Sequence, residues 1–431
     1  MSENKLKVEN FFKLALDAHR KNNLEDAEKF YNNILDIDEN NFQSLFSLGA
    51  LYLQKKEFNK AREYLLKAIS VNPNYPNTYS NLGIAMKELG QKEKSITCFK
   101  KAIEIDPRHK MAYNNLGVAL KGQGKYTDAV NSYKKAIEID SNNSNAFDNL
   151  GTIFTELGEH EKSRAYFEKA IEIDSKNVNA HSNLLFNICW SDNSSDYLEY
   201  AKKYYNLIPR HENEKSIYTN NFKSNLLKVG FVSGDFKNHP VTYFLLDTIK
   251  HLRKKKIELF AYSNNENEDK YTQLLKKNFN HWNLIVHKSD YDSIRIIKND
   301  KIDILFDLSG HTKRNRLAIF KNRCAPVQAT WSGWLASTGI KEIDYIIGDP
   351  NVTPYSDQPK FVEKINQLKK IWQSLSTSIF DPEISYNNKT DEKLIETIKK
   401  KMEKIYKNIK KNEKATQTDY LFNNTNEGKT N

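Results

Sequence analysis

The stretch Lys228–Pro240, KVGFVSGDFKNHP, decides how the second half of the chain folds. Its apolar run, Val229–Gly230–Phe231–Val232, breaks into Ser233–Gly234–Asp235. His239 and Pro240 then precede a helix-like segment from Tyr243 to Lys250. Apolar run, polar break and amphipathic segment predict a buried strand, a tight loop and a helix, the opening unit of a Rossmann-like α/β domain. In such sheets ligands bind beyond the carboxyl ends of the strands, where Asp235 to His239 fall.

The rhythm continues outward from that unit. Strands are predicted at 257–262, 282–286, 302–308, 327–331 and 343–347, with helices at 271–279, 292–299 and 314–321. Alternation of this kind predicts a parallel sheet covered by helices on both faces. Two further strand ends carry polar groups, Ser309-Gly310-His311-Thr312-Lys313 and Ser332-Gly333-Trp334. Gly310 and Gly333 are expected to let backbone approach a ligand closely. His239, His311 and an aspartate on one sheet edge suit proton transfer from a hydroxyl nucleophile, because histidine titrates near neutral pH. Each histidine also has a purely structural reading, as a hydrogen bonder at a strand end.

The first half is periodic. Leu48-Gly49, Leu82-Gly83, Leu116-Gly117 and Leu150-Gly151 recur every 34 residues, as do Ala68, Ala102, Ala136 and Ala170. Phe99, Tyr133 and Phe167 keep the same step. This is the tetratricopeptide pattern, two antiparallel helices per repeat with small residues where they cross. A degenerate unit begins near Val8 and a last one near Val178. Asn81, Asn115, Asn149 and Asn183 share one repeat position. They predict either an amide ladder that holds an extended peptide backbone, or bridges between neighbouring helices.

Composition narrows the function classes. The 431 residues carry 66 basic and 55 acidic side chains, a net charge of +11, with Lys dense only near the C-terminus. No compact Arg-rich or aromatic-interleaved patch appears, so nucleic acid is not an expected partner. If the Lys-rich tail bound DNA or RNA, affinity would depend steeply on salt. Three scattered cysteines, Cys98, Cys189 and Cys324, point to a reducing compartment rather than to disulfides or zinc. No run approaches the ~20 apolar residues of a membrane span, and a cytoplasmic chain is expected.

The motifs GFVSGDFKNHPV, DLSGHTKRNRLAIFKNRCAPVQATWSGWLASTG and IDYIIGD, in that order after the repeats, resemble the catalytic region of the O-GlcNAc transferase family, which includes the plant SPINDLY-type O-fucosyltransferases. The resemblance runs from about Phe42 to Thr377. It implies two Rossmann-like lobes with the active site between them, and transfer of a sugar from a nucleotide donor, UDP-GlcNAc or GDP-fucose, to Ser or Thr of proteins. It places His239 on the family's active-site histidine and His311 on a loop facing the same cleft. Gly333 falls on the loop that touches the donor sugar. It implies no cofactor and no metal, so Asp290-Tyr291-Asp292 is read as acidic residues at a helix start.

The expected organisation is a repeat domain over 1–190, a helical adaptor over 191–226, a first glycosyltransferase lobe over 227–380 and a Lys-rich helical tail over 381–431. Ile395, Ile398, Met402, Ile405 and Ile409 give that tail one apolar face. A second, nucleotide-binding lobe is expected to be largely missing, since about 50 residues are too few for a doubly wound lobe. Two functions follow. One is a protein O-glycosyltransferase with GlcNAc as its sugar. The other is a non-catalytic peptide-binding module that carries a remnant lobe.

Overall fold

The computed structural model describes residues 3–190, 196–211, 226–253, 257–334, 336–348 and 353–367. The chain divides into two compact units, at Asp192.

The first unit is a stack of antiparallel helix pairs. They are α1 (Glu3–Arg20) with α2 (Leu24–Leu35), α3 (Phe42–Gln54) with α4 (Phe58–Val71), and α5 (Pro76–Glu88) with α6 (Lys92–Ile105). α7 (Lys110–Lys121) pairs with α8 (Tyr126–Ile139) and α9 (Ser144–Glu156) with α10 (His160–Ile173), and α11 (Val178–Ile188) follows. The 34-residue step reappears as geometry. A Cβ on Gly83, Gly117 or Gly151 would meet the ring of Phe99, Tyr133 or Phe167 at 2.5, 2.6 and 2.5 Å. Each first helix therefore surrenders a side chain so that the second helix can bury a ring. Asn41, Asn143 and Asn177 cap the first helices α3, α9 and α11 by accepting from the backbone N–H three residues on, and His109 does the same for α7 through Nδ1. The turn inside each pair needs one residue with positive φ. Asn22, Lys56, Gly90, Gly124 and Gly158 take that place, 34 residues apart.

The second unit begins with α12 (Tyr197–Leu207) and continues into a seven-stranded sheet. In chain order come β1 (Leu227–Ser233), α13 (Pro240–Leu252), β2 (Ile257–Ser263), α14 (Lys270–Lys276), β3 (His281–Leu284), α15 (Asp290–Asp300) and β4 (Ile304–Asp307). α16 (Leu317–Lys321), β5 (Val327–Trp331), β6 (Tyr345–Gly348), a 3-10 turn at Tyr355–Lys360 and β7 (Lys364–Gln367) complete it. The order is β3-β2-β1-β4-β5-β6-β7 with every pair parallel. Val229 and Phe231 of β1 and Leu259 and Ala261 of β2 face Leu245, Ile249 and Leu275 of α13 and α14 in one buried cluster. Burying a side chain of this size contributes roughly 1.5–3 kcal/mol.

Several element bounds differ from those predicted, and one strand is new. α13 starts at Pro240 rather than Tyr243, since proline at the first helical position loses no bond. α16 starts at Leu317 rather than Arg314, because Arg314 adopts φ 65°. β7 was not predicted; its KINQ sequence has only one buried apolar residue, Ile365. The adaptor prediction places a helix on Tyr197, Ala201, Tyr204 and Leu207, and α12 is that helix, with the first three buried. The tail, including Ile395 to Ile409, lies outside the described residues.

Candidate active site at the end of the parallel sheet

Chain order runs outward in opposite directions from β1 and β4, so the two strands flank the switch point where an α/β sheet opens a crevice. The loops at that end are fastened by buried polar groups. Asp307, at the tip of β4, is buried and accepts from Ser309 N at 3.2 Å, Gly310 N at 2.8 Å and Thr330 Oγ1 at 2.9 Å. Burial pushes its carboxyl up to about 6, against the pull of those donors. The Ser309 hydroxyl in turn accepts from Gly234 N at 3.5 Å.

His239 is half-buried at the cap position of α13, where its Nδ1 accepts from Val241 N at 3.3 Å. The neutral ring then carries its hydrogen on Nε2 and presents a donor there. The base role proposed for this residue requires the other tautomer, which gives up the cap. His311 is only 2% exposed. Its Nε2 lies 2.9 Å from Thr338 O, and its ring is edge-on to Tyr204 and Trp334. Burial pulls it down to about 4, so it is neutral at pH 7 and donates to that carbonyl. The expectation that this histidine titrates near neutral pH is thus corrected by its burial.

The two glycines expected to lie near a ligand are also packed against the protein on their Cβ side. A Cβ on Gly333 would sit 1.8 Å from Leu308 O, and one on Gly310 (φ 53°) 2.2 Å from the Trp334 ring. The loop after β5 therefore lies directly on the loop after β4. Its far limb is held by Glu363, which is 1% exposed and accepts from Ser337 Oγ at 2.6 Å, Thr338 N at 2.7 Å and the Thr338 hydroxyl. α12 closes the same region. The Tyr197 hydroxyl donates to Ser337 O, Gly339 (φ 73°) packs on Ala201, and Lys321 Nζ donates to Tyr205 O and Ile208 O at 2.6 and 2.7 Å.

Asp290 and Asp292 occupy the first turn of α15, where Ser289 caps Asp292 N and Asp290 pairs with Arg316 Nε at 2.8 Å. Along the repeats, Asn149 Nδ2 donates to Asn114 Oδ1 at 3.2 Å and Asn183 Nδ2 to Asp148 Oδ1 at 2.9 Å. At these two positions the amide bridges neighbouring repeats; Asn81 and Asn115 are half-buried.

Residues 202–424 match the profile of glycosyl transferase family 41, which is more than half of the chain. The chain belongs to glycosyl transferase family 41. The match reaches past Thr377, where the motif resemblance ends, and residues 51–90, 77–142 and 111–176 match tetratricopeptide repeat profiles. Among curated relatives, the probable UDP-N-acetylglucosamine–peptide N-acetylglucosaminyltransferase SEC of Arabidopsis thaliana is 33% identical over 144 residues. The SPINDLY protein of the same plant, described by the same activity, is 34% identical over 147 residues. Each alignment covers 33% of this chain but only 15% and 16% of the relative, so the chain matches a small part of their length. A solved O-GlcNAc transferase mutant of Thermobaculum terrenum is 23% identical over 85% of this chain and 58% of that one, with a TM-score of 0.36.

Sequence reasoning overlooked Asp307 and Glu363 as organisers of this candidate site. Asp307 closes a four-residue strand and reads as a polar stop. Glu363 comes 25 residues after Thr338, and nothing local marks the pair.

Proposed function

We propose that this chain is a protein O-glycosyltransferase that transfers a sugar, GlcNAc from UDP-GlcNAc, to Ser or Thr hydroxyls of protein segments held by the repeats. The observation that carries this reading is His239 at the mouth of the β1–β4 crevice in a family 41 sheet. Its Nε2–H suits an acceptor-side hydrogen bond that aligns the hydroxyl, and Gly333 borders the donor sugar. Asn81, Asn115, Asn149 and Asn183 line the groove for the acceptor, and His311 acts as a neutral organiser. On this reading the chain is organised as repeats over 1–190, an adaptor over 191–226, a lobe over 227–380 and a tail over 381–431. The setting is cytoplasmic; no helix among the described residues is long and apolar enough to cross a membrane.

One observation favours a second reading, in which the lobe binds without catalysing. In the neutral capped form of His239 the remaining nitrogen is a donor, so that ring does not take a proton from a hydroxyl without losing its cap. Calorimetric titration with UDP-GlcNAc, UDP, GDP-fucose and GDP separates the two. Saturable micromolar binding of one donor with its nucleotide, followed by transfer to a protein that His239→Ala removes, supports the enzyme. No heat with any of the four supports the peptide-binding module.

A further inference from the structure

The sequence Lys313-Arg314-Asn315-Arg316 sits at the β1–β4 switch point and sends its two arginines to different fates. Arg316 is consumed inside the fold, by Asp290, by the Asn264 and Ser293 side chains, and by the carbonyls of Ile285 and Lys288. Arg314 is exposed, yet it is placed with as much care. Its backbone is left-handed, φ 65°, a conformation that costs any side chain other than glycine. Its carbonyl accepts from Asn264 Nδ2 at 2.8 Å, and its Nη1 donates to Asn265 Oδ1 at 2.9 Å. Both asparagines are buried, 7% and 3% exposed, and the Asn265 amide is turned toward the guanidinium because its Nδ2 is taken by Asn267 O at 2.8 Å. Gly234, just beyond β1, makes the room; a Cβ there would meet Arg314 Cβ at 2.9 Å. Two buried amides, one glycine and one left-handed residue together hold a single solvent-facing guanidinium.

The geometry points to Arg314 as an anion-recognition residue that takes a carboxylate of an acidic acceptor segment. Guanidinium binds carboxylate and phosphate alike, so the choice rests on its surroundings. A diphosphate at a Rossmann switch point uses the free amides of the first helix turn. Here that turn offers none: Pro240 has no N–H, Val241 N is bonded to His239 Nδ1, and Thr242 N and Tyr243 N to His239 O. A side-chain carboxylate needs no such cradle, only the fork of one arginine. The acid of the β1 loop, Asp235, has Lys237 Nζ 3.6 Å away. Lys313, next in sequence and exposed, adds positive charge to the same loop.

The inference rests on the transferase reading for the word acceptor, but its test does not need transfer. A fluorescein-labelled Ser/Thr peptide carrying several Glu residues, and its Gln counterpart, are titrated with the full chain by anisotropy. The same is done for Arg314→Gly and Arg314→Lys. Glycine relieves the left-handed backbone while the Asn265 bond is lost, so Arg314→Gly is expected to melt close to the wild-type temperature. The wild type is expected to bind the Glu peptide about tenfold more tightly than the Gln peptide. Arg314→Gly should erase that preference and leave the Gln peptide unchanged, and Arg314→Lys should keep part of it. A wild type without preference, or an unchanged preference in Arg314→Gly, overturns the proposal. So does a loss of UDP affinity in Arg314→Gly with the peptide ratio intact, which assigns the arginine to phosphate. Failure of sugar transfer alone sinks the transferase reading and leaves the peptide result standing.

Discussion

The repeat unit and the sheet unit bury very different chemistry. In the repeats the buried polar residues are Ser, Thr, Asn and two histidines. Every buried carboxylate among the described residues, Asp235, Asp303, Asp307 and Glu363, belongs to the sheet unit, as does the buried Lys321. The cause lies in backbone bookkeeping. A helix satisfies its own amides apart from the ends, so its core needs only shape, and one glycine–ring pair serves repeat after repeat. A parallel strand stops with its loop amides unpaired, and each loop must find its own acceptor. The sheet edge thereby gathers the charged groups from which a site is built.

The largest test of this contrast is a matched pair of ring deletions. Phe167→Ala and Phe231→Ala each remove a fully buried ring and are expected to cost about 3–5 kcal/mol. Hydrogen exchange should show the first loosening α9 to α11 while earlier repeats stay protected. The second should lower protection across the sheet as one cooperative block, and a local response there would break the comparison. Gly333→Ala comes next. Its neighbour is the Leu308 carbonyl, not a flexible ring, so about 2–3 kcal/mol of destabilisation is expected in a denaturant titration. Gly83→Ala should cost less, because the Phe99 ring can turn aside.

The buried ionisable groups make the third test, by pH. Asp307, raised to about 6, adds stability that is present below the ordinary carboxylate range and lost as pH rises through about 6. His311, lowered to about 4, works oppositely: its stability is full above the ordinary histidine range and lost as pH falls toward 4. The two slopes oppose each other between pH 4 and 6. Asp307→Asn should therefore make the unfolding free energy climb more steeply with pH in that window, by up to about 1.4 kcal/mol per pH unit. An unchanged slope would remove Asp307 from this account. His239→Ala should cost about 1 kcal/mol through the lost cap, whereas His239→Asn keeps a capping oxygen and most of the stability. Both should impair transfer if Nε2 is the working atom. Smallest is Lys67→Gln, whose exposed partner Glu63 makes a change beyond about 0.5 kcal/mol unexpected.

Much of the architecture was legible because it rests on periodicity. Leu-Gly at 34-residue steps marked the repeats, and Val229–Val232 followed by Ser-Gly-Asp marked β1. The family was legible from the long motifs at strand ends. What escaped depended on partners distant in sequence. Arg314 reads as helix until Asn264, 50 positions earlier, claims its carbonyl. His311 reads as a titrating group until Tyr204 of α12 and Trp334 enclose it. Gly333 reads only as a ligand neighbour, and the Leu308 carbonyl packed against it has no mark in the sequence. Residue type showed where polar groups gather, but burial decided which of them are available for chemistry.

The seating of α12 has a consequence for heredity. Lys321 grips the last carbonyls of that helix, and Ala201 fills the hollow beside Gly339, so the helix travels with the sheet. A crossover that exchanged the segment carrying α12 would separate Lys321 and Gly339 from the partners they are shaped for. Lineages that shuffle their repeats should therefore keep this one helix with the sheet it covers.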